Sequence, residues 1–254
     1  MQLETMVKDK LAEFVKECGF KRYPEEACGL VYADSKGKPH FVECKNKSLE
    51  PQHNFLIEPE EYLRVSELGE VVACWHTHCE VPPVGSKADK QACKNTQVPW
   101  FIGSIYKKDG HFTFEGLTLV EVDNDFETPL VGRPYVFGVF DCFSLMRDYY
   151  HRELGIDLPE LPRYERIWTS EPDYMAHMAE SRFGFVKRPL DEQPKIGDLY
   201  FIQTGVSGAD HIGIYLGDDR ILHQTRNRLS RKDIYGGSYW QEHTLSHWRH
   251  KTRC

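Results

Sequence analysis

Three residues of the segment Cys74-Trp-His-Thr-His78 can do metal chemistry if the segment is extended. Alternate side chains of a strand point the same way, so Cys74, His76 and His78 share one face while Trp75 and Thr77 share the other. Two imidazoles therefore converge. Seven residues separate His78 from Ser86, and Asp89 follows three positions later, one helical turn from that serine. His76, His78 and Asp89 with a fourth position open are the ligand set of a catalytic rather than a structural zinc, because a closed site leaves no place for an activated water. Cys74 lies one step deeper on the same face and Cys79 points away from His78. Both read as small buried residues, as do Cys18, Cys44, Cys93 and Cys254.

A second constellation lies in the other half of the chain. Cys142 stands where a helix should begin, and there unpaired backbone N–H groups and the helix dipole favour the thiolate, the nucleophilic form. A base can come from a distant segment. His211, which opens the run His-Ile-Gly-Ile-Tyr-Leu-Gly217, is the leading candidate, and His223 on the next strand can orient its ring as the third member of a triad. Taken singly, Cys142 reads better as an inert core thiol and His211 as a hydrogen-bonded strand histidine; together, with Ile196-Gly-Asp-Leu199 and His223 in order, they read as catalytic. The remaining histidines, His247 and His250 among them, read as loop or surface positions.

The elements that must carry these residues follow from periodicity. Apolar residues between Leu3 and Val15 recur at spacings of three and four, predicting an amphipathic helix that turns at Gly19 and Pro24. Strands are expected at 27–32, 40–44, 70–75 running into the histidines, 100–106 and 111–115, with helices opening at Pro59 and Ser86. Acidic residues and prolines without periodicity make 121–133 the candidate linker, dividing the chain into 1–120 and 134–254. Beyond it a helix is expected over 142–154, then a loop with Pro159, Pro162 and Pro172, a short helix over 174–181, and strands over 198–203, 211–216 and 220–224. A helix followed by strands predicts an α+β arrangement for this half.

His76-x-His78, seven residues, then Ser86-x-x-Asp89 resembles the signature of the JAMM (JAB/MPN) metalloproteases. The Glu-x-Cys-Gly element usual in that family is matched by Glu26-Ala-Cys28-Gly29. The resemblance implies an α/β domain in which His76, His78 and Asp89 bind zinc, Glu26 shuttles the proton and Ser86 stabilises the oxyanion. The second half is similar to the NlpC-type cysteine peptidases, papain-like α+β enzymes that cut peptide bonds in bacterial cell-wall stems. The matching blocks are Tyr135 with Asp141-Cys142, Ile196-Gly-Asp-Leu199, His211 through Gly217, and Leu222-His223. That family often carries Asp-Cys-Ser-Gly-Leu, whereas this chain has Asp141-Cys-Phe143-Ser-Leu145. The departure bears on substrate recognition, to which Tyr135 is expected to contribute, more than on the nucleophile.

The order of the two modules resembles the tail tip assembly proteins of lambda-like tailed phages. It implies peptidoglycan stem peptides as substrate, other tail tip proteins as partners, and presence in the host cytoplasm during assembly and at the virion tail tip. The rival expectation is a structural assembly factor whose peptidase folds dock or process a tail protein. A third, deubiquitinase-like removal of a modifier, rests on the first half alone.

Composition narrows the field. The 254 residues carry 32 Lys plus Arg against 39 Asp plus Glu, a net charge of −7, which gives no footprint for nucleic acid. Eight cysteines are too few and too irregularly spaced for a disulfide scaffold or paired CxxC zinc fingers, so reduced thiols are expected. No apolar run reaches the ~18–20 residues of a membrane span. The first twenty residues lack the basic and apolar regions of a signal peptide, so folding in a cytoplasm is expected.

Overall fold

The computed structural model describes residues 5–160, 174–205 and 207–254. The loop expected around Pro162 and Pro172 lies outside them. The chain forms two compact units, Met1–Glu127 and Thr128–Cys254.

In the first unit, α1 (Thr5–Arg22) precedes β1 (Cys28–Ala33), β2 (Pro39–Cys44), α2 (Pro59–Ser66), β3 (Glu70–Cys79), α3 (Lys87–Thr96), β4 (Trp100–Lys108) and β5 (His111–Val120). The sheet order is β2-β1-β3-β4-β5. Only β3 and β4 are parallel, and α3 is the crossover that joins them. Leu11, Val15 and Cys18 of α1 meet Val31, Ala73, Trp75 and Phe101 in the core. The helix runs through the turn expected at Gly19 because that position lies against β4: a Cβ there would come within 2.7 Å of the Ile105 side chain. Trp75 is fully buried and its indole N–H donates to the Val42 carbonyl at 3.2 Å. Burial of Trp75 and Thr77 toward the α1 side leaves His76 and His78 on the opposite face of the same strand.

Gly29 explains part of the Glu-x-Cys-Gly element. A Cβ there would lie 1.9 Å from the Val42 carbonyl oxygen and 2.5 Å from the Trp75 ring, so only glycine lets the indole lie against β1.

The second unit holds α4 (Cys142–Leu154), α5 (Tyr174–Ser181), β6 (Phe185–Arg188), β7 (Leu199–Ile202), β8 (His211–Gly217), β9 (Arg220–His223), β10 (Arg231–Ile234), α6 (Tyr239–Glu242) and β11 (Thr244–His250). Its sheet, β10-β9-β8-β7-β11-β6, is antiparallel throughout, and α4 packs against β8 and β9. Phe143, Leu145, Met146 and Tyr150 of α4 fill the core with Leu199, Phe201, Ile212 and Trp248. Phe143, which stands where the similar family has serine, is one of these core residues, its ring centroid 5.3 Å from that of Phe183.

Sequence periodicity did not reveal β6, β10, α6 or β11. β11 reads Thr-Leu-Ser-His-Trp-Arg-His250 and looks like a surface segment, yet His247, Arg249 and His250 are all buried. This corrects the surface reading of His247 and His250. The reason lies elsewhere in the chain: Asp198 accepts from His247 Nε2 at 2.7 Å and from Arg249 Nε and Nη2 at 2.8 and 2.6 Å, while Glu192 takes Arg249 Nη1. Polar side chains are buried where acceptors await them. A second correction concerns Cys254, which is exposed, and Cys79 is only half-buried; all the cysteines are free.

The segment 121–133 is fastened on both sides. Lys94 Nζ donates to the Phe126 carbonyl at 2.9 Å. Buried Arg133 donates to the carbonyls of Thr128 and Pro129 and to the Asp148 carboxylate.

Candidate functional site

The first cluster forms at the end of β3. Pairing of β1 with β3 sets Cys28 opposite His76, and the Thr77 N–H donates to the Ala27 carbonyl at 2.8 Å. Continued by two residues, that register brings Glu26 opposite His78. His76, His78 and Asp89 are all buried. His76 Nε2 lies 3.2 Å from His78 Nε2 and 3.5 Å from Asp89 Oδ1, and His78 Nε2 lies 3.6 Å from Asp89 Oδ2.

Ligands 2.0–2.1 Å from a tetrahedral zinc stand about 3.3–3.4 Å apart, close to the separation of the two imidazole nitrogens and of each from one Asp89 oxygen. His78 Nδ1–H donates to the Pro82 carbonyl at 3.0 Å, which turns Nε2 toward the cluster; burial alone would lower this imidazole, but the bonds to Asp89 and Pro82 outweigh it and raise it above its ordinary value. Burial lowers the His76 imidazole to about 4 and keeps it neutral. Burial alone would raise the Asp89 carboxyl, but His76, His78 and the Ser86 hydrogen bonds outweigh it and hold Asp89 ionised. Among the described residues this is the one group of His, Cys and carboxylate side chains that could hold a metal ion; Cys74 and Cys79 are not part of it. The His76 ring is seated by Phe55, stacked at 4.7 Å, and by the edge of Trp100, while its buried Nδ1 has no hydrogen-bond partner.

Ser86 is the N-cap of α3. Its Oγ accepts from the Asp89 N–H at 3.1 Å and its own N–H donates to Asp89 Oδ2 at 2.7 Å, a reciprocal box that aims the carboxylate at the histidines. The Ser86 hydroxyl proton remains free to donate, and the residue is exposed. Glu26 is buried, and that burial pushes its carboxyl up to about 8 despite the opposing pull of His78. A carboxyl so raised can both hold and release a proton near neutral pH.

The second cluster uses the N-terminus of α4. Asp141 caps it, accepting from the Ser144 N–H and from the Gly138 N–H, both at 2.8 Å, while Ser144 Oγ takes the Asp141 N–H. Gly138, at φ +82°, makes the turn that delivers the cap. Cys142 is the first helical residue, where backbone N–H groups are unpaired by the helix itself. Tyr135 is half-buried just before the Val136–Phe140 bridge that closes this turn.

His211 opens β8 and His223 closes the adjacent β9, strands on which α4 packs, with His223 paired to Gly213. His211 Nε2 and His223 Nδ1 are 2.9 Å apart, and both rings are buried. Burial, aided by the neighbouring His223, lowers the His211 imidazole to about 3, so the ring is neutral near pH 7. Two residues that sequence reasoning missed stand behind the pair. Asp233 Oδ2 accepts from His223 Nε2 at 3.1 Å, and the Trp240 indole, packed edge-on to His223 at 4.3 Å, donates to the same oxygen. Asp233 lies in an Arg-Lys-Asp-Ile edge strand whose charges look merely solvated.

Comparison with known proteins bears on both clusters. A family model described as prokaryotic homologs of the JAB domain matches residues 5–114, and the NlpC/P60 family model matches residues 132–249. Tail tip assembly protein K of Escherichia phage N15 is 35% identical over 231 residues, 90% of this chain and 89% of that protein. The chain belongs to the tail tip assembly protein K family. A second family member, from Escherichia phage lambda, is 32% identical over 77% of this chain and 89% of its own. Outside the family, gamma-DL-glutamyl hydrolase of Bacillus subtilis (strain 168) is 27% identical over 60% of this chain and 37% of that protein. The fold of this family member is therefore a JAB-like unit followed by an NlpC/P60 unit. No helix among its described residues is long and apolar enough to cross a membrane.

Proposed function

We propose that the protein is a two-site hydrolase of the phage tail, whose NlpC/P60 unit cleaves a peptide bond in peptidoglycan stem peptides. The observation that carries this reading is the buried His211–His223 pair on strands packed against the helix that Cys142 opens. His211 takes the thiol proton, and Cys142 Sγ bonds to the substrate carbonyl carbon. The carbonyl–nitrogen bond breaks as His211 returns the proton to the departing amine, leaving a thioester. Water activated by His211 then releases the acid and restores the thiol. The α4 N-terminus supplies backbone N–H groups toward the negative charge that develops. Tyr135 contacts the substrate. The similarity to gamma-DL-glutamyl hydrolase of Bacillus subtilis favours an amide of a glutamyl residue as the bond class.

In the JAB-like unit, His76, His78 and Asp89 would hold a zinc ion, which supplies Lewis acidity toward an amide or isopeptide carbonyl. Glu26 moves the proton from the attacking water to the leaving amine. Ser86 donates its hydroxyl proton to the developing oxyanion. The protein is made in the host cytoplasm and acts with other tail tip proteins, which fits relatives named for tail tip assembly.

The test is digestion of purified peptidoglycan by wild type, Cys142→Ala and Glu26→Gln, with muropeptides identified by mass spectrometry. New stem-peptide fragments are expected from wild type and Glu26→Gln and none from Cys142→Ala. Identical products from wild type and Cys142→Ala would refute the peptidase reading. The relatives' names also favour a second reading, in which the units dock or process a tail protein. Infectious tails assembled with Cys142→Ala would support it.

A further inference from the structure

Asp233 stands at the far end of a chain of three side chains. Its Oδ2 receives His223 Nε2 at 3.1 Å, Arg231 Nη2 at 2.8 Å and Nε at 3.0 Å, and the Trp240 indole N–H at 3.2 Å. An ionised carboxylate can only accept, and the Arg231 charge with the Trp240 donor keeps this one ionised. His223 must then carry its proton on Nε2, so a neutral His223 presents a bare Nδ1. The neighbouring atom, His211 Nε2 at 2.9 Å, can bond to a bare Nδ1 only by donating. A neutral His211 protonated on Nε2 has one nitrogen left to accept a proton, its Nδ1.

We propose that Asp233 is a positioning residue of the thiol peptidase, fixing the tautomers of His223 and, through it, of His211, so that Nδ1 is the basic nitrogen. The proposal rests on the reading of Cys142 and His211 given above. Without the carboxylate both imidazoles can reverse together, His223 donating from Nδ1 to a bare His211 Nε2. The base then offers the wrong nitrogen in a ring whose position has not changed. Asparagine invites this reversal, because its amide N–H₂ can donate to His223 Nε2 where the carboxylate only accepted.

The experiment is performed on the full-length chain labelled with ¹⁵N. Two-bond ¹⁵N–¹H spectra report directly which imidazole nitrogen bears the proton, and His211→Gln and His223→Gln assign the resonances. At pH 7 the wild type is expected to show both rings protonated on Nε2. Asp233→Asn is expected to move His211 toward the Nδ1–H tautomer and to slow release of soluble fragments from purified peptidoglycan roughly 10²- to 10⁴-fold, the upper figure being the cost of a wrong tautomer in a triad. Its thermal midpoint should stay near that of wild type, since Asp233 is a quarter exposed on an edge strand. Asp233→Glu, which can still accept from His223, should restore much of the rate. An Nδ1–H tautomer at His211 in the wild type, or an Asp233→Asn protein with unchanged tautomers, would overturn the proposal, as would unchanged fragment release. A Cys142→Ala protein that digests peptidoglycan normally would instead remove the reading beneath it, while the tautomer spectra still decide what Asp233 does.

Discussion

Asp198 should be the principal electrostatic anchor of the C-terminal unit, and Asp198→Asn tests this. The residue is 2% exposed, and its carboxylate receives His247, Arg249 twice and the Lys195 N–H. Burial alone would raise its carboxyl, but the bonds from His247 and Arg249 outweigh that and hold it at about 2 against the ordinary 3.8. A depression of that size corresponds to about 2–3 kcal/mol favouring the folded state when the group is ionised. Asparagine removes that contribution, replaces one acceptor oxygen by a donor NH₂ facing Arg249 and His247, and leaves the buried Arg249 with Glu192 as its only carboxylate partner. Breaking a buried pair from one side costs about 3–5 kcal/mol. For a unit of this size that lowers the midpoint by roughly 10–20 °C.

The sign of the pH dependence follows from the depressed value. The stabilisation is complete above the unfolded-state value near 4 and disappears as pH falls through about 2. Wild type and Asp198→Asn should therefore differ widely at pH 7 and converge toward pH 2. Differential scanning calorimetry from pH 7 to 2.5 measures the gap, and hydrogen exchange of β7 and β11 peptides assigns the transition to residues 128–254. Equal midpoints at pH 7, or a gap that is constant with pH, would refute the assignment.

Zinc titration against a competing chelator should find one ion per chain. His76→Gln and Asp89→Asn should each weaken it by more than the about 10–100-fold typical of losing an outer-shell partner, while Glu26→Gln keeps it; unchanged affinity in Asp89→Asn would exclude that carboxylate as a ligand. Gly29→Ala should destabilise the JAB-like unit by about 3 kcal/mol or more, because the added methyl meets a backbone oxygen at 1.9 Å that no rotamer change can relieve. Urea unfolding followed through exchange of β1 and β3 amides checks it, and a change below about 0.5 kcal/mol would contradict the close packing of Trp75.

Local patterns made much of both sites legible. Strand alternation is enough to put His76 and His78 on one face, and a serine three residues before an aspartate is enough to predict the cap that aims Asp89. The position of Cys142 at a helix start was similarly visible in the apolar spacing of 142–154, and the structure adds the local capping box of Asp141 and Ser144. Asp233 was not visible: its partner His223 is ten residues away across a hairpin, and nothing in Arg-Lys-Asp-Ile distinguishes a charge turned to a histidine from one turned to water. β11 was hidden for the same reason, since His247 and Arg249 look exposed until Asp198, some fifty residues earlier, is brought beside them.

Residue types at local spacings were enough to separate the two modules and to pick out His76, His78 and Asp89 in one and Cys142, His211 and His223 in the other. Tertiary structure alone decided the protonation of those groups. Whether Glu26 is raised toward neutrality, which nitrogen of His211 faces His223, and whether a polar strand can be buried depend on desolvation and on partners supplied by distant segments. Periodicity is a property of neighbours along the chain, whereas the electric environment of a side chain is set by neighbours in space.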